Sequence, residues 1–344
     1  MDGEMRERVL VAMSGGVDSS VAALLLRDAG YDATGVTMKL FDNEVAGAGG
    51  ACVVGESTCC SQSDVEDARQ VAFGLGLEHF TFNFTGTFGC EVIDRFCDAY
   101  LHGRTPNPCI DCNRYLKFAA LQRRRAQLGF DYVATGHYAR RAFNERTGRF
   151  ELRRGLDEAK DQSYVLYHLT QDDLAHMLFP LGELTKPQVR ELAEKHSFGN
   201  AHKAESQDIC FVPDGDYASF IARYMGFGDD AARDGAGSQA VPAAFEPGNI
   251  VDVDGKVLGR HSGLVHYTIG QRKGIGIAAP EPLYVVGKDA GKNVLVVGPR
   301  SELGVREVRA GDVNLISVAE LDKPMRVTAK THYRQRAQAG EAVM

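Results

Sequence analysis

The run Ser14-Gly15-Gly16-Val17-Asp18-Ser19-Ser20 gathers two glycines, three hydroxyls and a carboxylate into seven residues. Glycines let a backbone turn tightly and approach an anion with no Cβ in the way. The Ser14 and Ser19 hydroxyls and the amides opening a helix can then point at that anion. No Gly-Lys-Ser/Thr follows, so the lysine that reaches the outer phosphates in a phosphoryl-transfer loop is missing. Such a cradle suits pyrophosphate held as a leaving group, with Asp18 as a ligand for the Mg²⁺ that neutralises it.

Thiols form the second chemical group. In Gly103-Arg104-Thr105-Pro106-Asn107-Pro108-Cys109-Ile110-Asp111-Cys112-Asn113 the prolines keep the backbone extended until a helix begins near Asn113. Cys112 then sits beside a helix N-terminus, with Arg104 and Arg114 close in sequence, an environment that favours thiolate. About a hundred residues on comes Ser206-Gln207-Asp208-Ile209-Cys210-Phe211, whose lone thiol reads by itself as core. Cys109, Cys112 and Cys210 offer three ligands, with one C-x-x-C pair, to an iron–sulfur cluster of the [4Fe-4S] type whose fourth iron would bind hydrosulfide. No fourth Cys or His stands at finger-like spacing, which argues against structural zinc. Cys90 and Cys97 fall in an apolar helical pattern and read as buried core, and Cys52, Cys59 and Cys60 belong to a Gly-containing loop.

The elements that must position these groups alternate. A strand is expected over 9–13, a helix over 17–29 stopped by Gly30, a strand over 33–40, and a helix opened by a Ser61-to-Asp64 capping box and ending near Gly74. A strand at 79–84, a helix to about Tyr100, a helix over 113–128 and a strand at 132–135 follow. The fold class is therefore α/β, a parallel sheet covered on both faces, with ligands at the carboxyl ends of its strands. Phe150 to Arg153 reads as a strand, and Thr185 caps a helix with Gln188 three residues on. Residues 226–247 are the best linker, and short strands around Asp254-Gly255 and Asp289 to Asn293 make a small β-barrel-like tail. Three regions result: 1–145 with the loop and the cysteine segment, 146–245 as a small α/β centre, and 246–344 as the β tail.

Of the 344 residues 44% are hydrophobic and 25% charged, and no apolar run is long enough to span a membrane. The start of the sequence lacks the basic-then-apolar order of a secretory signal, so a cytoplasmic, reducing setting is expected, where clustered thiols mean metal or catalysis more often than disulfides. A net charge of −7 argues mildly against nucleic acid. Its distribution argues for it: Arg104, Arg114, Lys117, Arg123, Arg124 and Arg125 stand against Asp111 alone, and Lys323, Arg326, Lys330, Arg334 and Arg336 crowd the end.

The loop resembles that of the PP-loop ATP pyrophosphatases, Rossmann-like proteins of the adenine nucleotide alpha hydrolase kind. Added to it, Thr105 to Asn113, Ala134-Thr135-Gly136-His137-Tyr138, Lys160-Asp161-Gln162-Ser163-Tyr164, Phe179-Pro180-Leu181-Gly182 and Gln207-Asp208-Ile209-Cys210 make the chain similar, from Val9 to about Tyr333, to the bacterial tRNA-specific 2-thiouridylases. That resemblance implies ATP-dependent 2-thiolation of uridine 34 in tRNAs for Lys, Glu and Gln. It implies that Ala12, Met13, Ser14, Gly15, Gly16, Val17, Asp18 and Ser19 hold ATP, with Met38 and Gly136 completing the pocket. Cys210 would take a persulfide from a cysteine desulfurase or sulfur-relay protein, and Cys112 would attack it, leaving a Cys112–Cys210 disulfide. Asn107, Pro108 and Cys109 would meet the flipped-out base. His137, Lys160, Asp161, Gln162, His332 and Tyr333 would contact tRNA.

Two departures from the family pattern matter. Many members carry an acid where this chain has Cys109, which is what raises the cluster alternative, and members usually run some tens of residues past Tyr333-Arg334, so either a truncated or an unusually short tail is expected here. The rival reading is a small-molecule ATP pyrophosphatase such as an amidating ligase, which would share the loop and have no use for Cys112 and Cys210. A non-catalytic tRNA-binding thiol sensor would in turn have no use for Asp18.

Overall fold

The computed structural model describes residues 6–40, 62–203, 209–212, 214–226, 241–331 and 335–344. Strand β1 (Arg8–Ala12) is the centre of a five-stranded sheet in the order β3-β2-β1-β4-β7. The neighbours are β2 (Asp32–Lys39), β3 (His79–Asn83), β4 (Tyr132–Thr135) and β7 (Met177–Leu178), and every pairing is parallel. Val9, Leu10 and Val11 are fully buried, as an unbroken apolar run requires when both faces of its sheet are covered. From β1 the chain builds outward through β2 and β3, then returns to the other side of β1 as β4. The crevice beyond the carboxyl ends of β1 and β4 is thus a topological switch point, where open α/β sheets place ligands.

Helices α1 (Val17–Asp28) and α2 (Gln62–Gly74) cover one face through a core of Val11, Met13, Leu24 and Val71. Gly30, at φ +89°, ends the α1 turn as the sequence implied. The Ser61 cap expected for α2 lies outside the described residues, and so do Cys52, Cys59 and Cys60.

The helical run after β3 consists of α3 (Thr85–Phe88), a π-helical turn (Gly89–Ile93) and α4 (Asp94–Leu101). Here one expectation fails. Cys97 is buried, but Cys90 is exposed. Cys90 lies within the π turn, whose extra residue breaks the α-helical period, so the seven-residue spacing does not put it on the same face as Cys97.

A second helical run joins α5 (Pro108–Asp111), a π-helical segment (Cys112–Ala120) and α6 (Leu121–Leu128). The hairpin of β5 (Ala139–Asn144) and β6 (Arg149–Arg154) leads to α7 (Gln171–Ala175), β7 and α8 (Lys186–Lys195). In α8 the Thr185 amide and hydroxyl both donate to Gln188 Oε1, at 2.8 and 2.9 Å, the cap read from the sequence. The central region does not stand apart: β7 extends the parallel sheet, and Val189 and Ala193 of α8 share a core with Val21 and Ala22 of α1.

Helix α9 (Tyr217–Met225) precedes the expected linker, most of which lies outside the described residues. Beyond it β8 (Gly248–Val251), β9 (Val257–His261), β10 (Tyr284–Asp289) and β11 (Val294–Gly298) form a four-stranded sheet in the order β10-β11-β8-β9. Ile250, Leu264, Val285, Leu295 and Val297 are its core. The hairpin of β12 (Met325–Ala329) and β13 (Gln338–Ala342) is a separate two-stranded sheet.

Candidate active site

At the end of β1 the chain turns through Ser14, Gly15 and Gly16 into α1. Gly15 sits at φ +73°, a left-handed conformation, and its Cα lies against the Asp64 backbone with no room for a side chain. The Ser19 hydroxyl folds back to accept from the Ser14 amide at 3.1 Å and donates to the Gly16 carbonyl at 3.0 Å, which locks the turn. The first amides of α1, like those of any helix, have no acceptor within their own helix and so favour an anion at this end. From β4, Gly136 closes over this turn: a Cβ there would stand 2.9 Å from the Asp18 carbonyl carbon and the Ser19 nitrogen. The structure thus brings the expected nucleotide residues of β1, α1 and β4 together.

Asp18 is already engaged. Lys186 of α8 donates to both its carboxylate oxygens at 2.7 and 2.8 Å, and the Tyr138 hydroxyl donates to Oδ1 at 2.8 Å. The Lys186 side chain is 8% exposed and Asp18 33%, so the lysine backs the carboxylate from inside the protein. Tyr138 is held in turn, because its amide donates to Gln162 Oε1 at 3.0 Å. Asp161 accepts from the amides of Gly155 and Ser163 and from the Ser163 hydroxyl, pinning the loop that carries Gln162. Buried Asn200 donates to the Gly15 carbonyl and to the Ser20 hydroxyl, both at 2.9 Å. Sequence reasoning missed Lys186, Tyr138's contact and Asn200; the absence of a lysine from the loop was the signal that a cation had to come from elsewhere.

The thiol segment differs from expectation in its start. The helix opens at Pro108, with the Asn107 side chain accepting the Cys109 amide at 3.2 Å, because proline is well suited to a first helical position. Cys109 is therefore in the exposed first turn, and Cys112 is a turn further in and partly buried. The two arginines expected to favour its thiolate are paired with acids, Arg104 with Asp98 at 2.9 Å and Arg114 with Asp312 at 2.7 Å. Asn113 anchors the helix by donating to the Cys109 carbonyl at 2.8 Å. Burial raises the pKa of Asp111, against the pull of Arg95 and Arg114.

Cys210 lies far away in sequence but packs on the same hydrophobic cluster. Cys112 and Cys210 both pack on one hydrophobic cluster, built on Phe88, Phe96, Leu116 and Phe211, which also contains Met38 of β2 and touches Ala12 of β1. One core thus joins both thiols to the two strands that carry Ala12 and Met38, both expected in the nucleotide pocket. Among the described residues no three Cys, His, Asp or Glu side chains stand together as a metal site, so Cys109, Cys112 and Cys210 do not fit a [4Fe-4S] cluster as placed.

Residues 7–214 match the family described as tRNA methyl transferase HUP domain, and residues 239–299 match the tRNA methyl transferase PRC-barrel domain. Over 340 residues the chain is 47% identical to the tRNA-specific 2-thiouridylase MnmA of Carboxydothermus hydrogenoformans, covering 98% of this chain and 87% of that protein. It is 48% identical over 325 residues to the MnmA of Moorella thermoacetica, covering 94% and 85%, and 45% identical over 333 residues to that of Clostridium acetobutylicum, covering 97% and 87%. The chain belongs to the MnmA family of tRNA-specific 2-thiouridylases.

The residues that the MnmA resemblance assigns to tRNA are not equally placed to reach it. The His137 ring is buried, bonded through Nδ1 to the Thr135 hydroxyl at 2.8 Å and packed near Phe118. Burial, aided by Lys117 and His168, holds its pKa well below the ordinary histidine range, so it is neutral and offers no charge to a phosphate. Asp161 and Gln162 are spent on shaping their loop, as described above. Lys160 is partly exposed. His332 and Tyr333 lie outside the described residues.

Proposed function

We infer that this protein converts uridine 34 of tRNAs for Lys, Glu and Gln to 2-thiouridine. The uracil C2 oxygen attacks the α-phosphorus of ATP and pyrophosphate leaves, which turns a poor leaving group into an adenylate. Sulfur then forms a bond to C2 and AMP departs with the former C2 oxygen. The family description speaks of methyl transfer, but a pyrophosphate cradle and two thiols are the equipment of the thiolation for which the MnmA relatives are named.

The turn at Gly15 and Gly16 and the N-terminus of α1 would hold the departing pyrophosphate. Lys186, behind Asp18, adds the positive charge the loop itself lacks. One carboxylate beside a phosphate cradle is a usual protein share of a Mg²⁺ site, and Asp18 fits that part; bound there, Mg²⁺ would neutralise charge on the leaving group.

Cys210 would carry the incoming sulfur as a persulfide, loaded by a cysteine desulfurase or a sulfur-relay protein. Its terminal sulfur attacks C2. The Cys112 thiolate then attacks the Cys210 sulfur, the persulfide bond breaks with its electron pair moving to the sulfur left on uracil, and a Cys112–Cys210 disulfide remains. A thiol reductant restores both thiols with two electrons. The placement of the three cysteines favours this route over a cluster. Asn107, Pro108 and Cys109, at the exposed opening of the helix, would meet the extruded base. The site of action would be the cytoplasm; among the described residues no helix is long and apolar enough to cross a membrane.

The observation that supports the reading is the shared core: Cys112, Cys210 and Ala12 all pack against the hydrophobic cluster that contains Met38. The test is incubation with ATP, Mg²⁺, a persulfide donor and unmodified tRNA, followed by nuclease digestion and mass spectrometry. Appearance of 2-thiouridine that depends on ATP is expected; its absence, with no pyrophosphate released, would overturn the reading.

A further inference from the structure

Met13, the residue on which β1 passes into the nucleotide loop, is held by its amide, its side chain and its carbonyl. The amide donates to the Val36 carbonyl at 2.8 Å. The side chain lies against Gly35 of β2, where a Cβ would stand 2.7 Å from the Met13 sulfur and 3.1 Å from Cδ2 of His79. The carbonyl accepts from the Thr37 hydroxyl at 2.8 Å, and Thr37 is 1% exposed.

Thr37 in turn meets Nε2 of His79, the first residue of β3, at 2.9 Å. Elementary chemistry fixes the direction of that bond. A carbonyl oxygen only accepts, so the one hydroxyl proton of Thr37 goes to Met13, and towards His79 the hydroxyl can only accept. His79 Nε2 therefore carries a proton. Burial, with Arg69 nearby and Glu66 opposing, lowers the His79 pKa, so near pH 7 the ring is neutral and that proton fixes its tautomer.

The bonds continue beyond the Met13–Ser14 peptide. The Ser14 amide donates to the Ser19 hydroxyl, and that hydroxyl donates to the Gly16 carbonyl. Every donor thus points the same way, from His79 on the edge strand to Gly16 at the entrance of α1. Aligned bonds of this kind polarise one another, and a peptide tied at both its oxygen and its nitrogen flips only by breaking both ties. The Gly15 carbonyl is taken separately by Asn200. With the Met13, Gly15 and Gly16 carbonyls all turned to protein donors, their oxygens are kept from an arriving anion, which they would repel.

We propose that Thr37 and His79 are positioning residues for ATP activation, setting the Met13–Ser14 peptide and, through it, the Ser19 hydroxyl and the Gly16 carbonyl of the pyrophosphate cradle. They act through the loop and not on the reacting atoms, and the assignment rests on the functional reading above in taking that loop to hold pyrophosphate. Successive side chains of a strand point to opposite faces, so β2 serves the site twice: Met38 lies on the side expected to complete the nucleotide pocket, and Thr37 braces the loop from the other.

The test replaces the Thr37 hydroxyl by a methyl of nearly the same shape. Thr37→Val should slow ATP-dependent pyrophosphate release with tRNA by about tenfold, because the buried Met13 carbonyl loses its donor, while KM for tRNA stays within about twofold. Thr37→Ser keeps the hydroxyl and should stay within about twofold of the wild-type rate. His79→Phe, one bond further out and partly exposed, should cost about threefold, and His79→Gln, whose side-chain amide can still donate to Thr37, should recover most of that. Circular dichroism and thermal melting identify the folded variants; should Thr37→Val fail to fold, His79→Phe compared with His79→Gln decides by itself. A readout independent of activity is ¹⁵N NMR of ring-labelled histidine, with His79→Gln assigning the signal, and a neutral His79 protonated at Nε2 is expected. A folded Thr37→Val or His79→Phe with the wild-type rate, a Thr37→Ser as slow as Thr37→Val, or a His79 protonated at Nδ1 alone overturns the proposal. A wild-type chain that releases no pyrophosphate sinks the functional reading with it, whereas normal release that is indifferent to the Thr37 hydroxyl sinks the positioning role alone.

Discussion

Lys186 Nζ lies 2.7 and 2.8 Å from the two carboxylate oxygens of Asp18, and it reaches them from the first turn of a helix that begins 168 residues later. The pair welds α8 to α1 at the mouth of the cradle. Lys186→Met would leave Asp18 with the Tyr138 hydroxyl as its partner among the bonds described. Because Asp18 is one-third exposed, the cost should be about 1–3 kcal/mol, less than for a fully buried pair. Pyrophosphate release with ATP and tRNA should fall by about 10²-fold, the usual effect of removing one preorganised charge. Denaturant unfolding and a pyrophosphate assay on the same variant separate the two effects.

Gly136→Ala tests the closure of the site from the other side. The added Cβ meets backbone, 2.9 Å from Asp18 and Ser19 atoms, and backbone has no rotamer by which to yield. The expected outcome is a loss of stability of about 1–3 kcal/mol and at least about tenfold weaker nucleotide binding, since β4 must retreat from the turn. Gly30→Ala is the control: open space surrounds Gly30, so only the left-handed φ is penalised, and nucleotide affinity should be unchanged.

The parallel sheet was legible because its signals are local. The apolar run at β1, the Thr185–Gln188 cap and the glycine stop at Gly30 each report on themselves, and the Ser14-to-Ser20 string carries its own strand–helix junction. What stayed hidden needed the third dimension. Lys186 and Asn200 reach the loop through side chains that no spacing rule connects to it. Arg104 and Arg114 sit near Cys112 in sequence, yet their charges are spent on Asp98 and Asp312. Cys90 went wrong through a π turn, which leaves no mark in an apolar pattern, and the helix start at Pro108 was masked by reading both prolines as breakers.

His168 gives the fold an acid sensitivity. Among the described residues neither of its buried ring nitrogens has a hydrogen-bond partner, and burial, with Arg114 nearby, pushes its pKa down to about 4. The unfolded chain, with an ordinary histidine near 6.5, therefore binds more protons than the folded one between about pH 4 and 6.5. Stability should fall as pH drops through that window and level off below it. His168→Phe removes the titrating group and fills the same space beside Phe118 and Tyr167. Urea midpoints taken from pH 7 to pH 4 should decline less steeply for His168→Phe than for the wild type; parallel curves would show that His168 does not set the slope.

The division of labour among the cysteines can be read one stage at a time. Cys112→Ser and Cys210→Ser should each abolish 2-thiouridine, yet both should still release pyrophosphate with ATP and tRNA, because adenylation uses the cradle and neither thiol. Serine replaces a partly buried sulfur at the cluster edge, so any stability loss should stay near 1 kcal/mol, too small to mimic a catalytic failure. Cys109 is exposed in the first turn of the helix, and in the proposed persulfide route it contacts the base without bonding to the transferred sulfur. Cys109→Ala should therefore retain thiolation within about threefold, whereas a cluster held by three thiols would lose most of its stability with one ligand gone. Measuring pyrophosphate and 2-thiouridine in parallel on all three variants decides the matter: a dead Cys109→Ala with intact pyrophosphate release would replace the persulfide with a metal-bound sulfur donor.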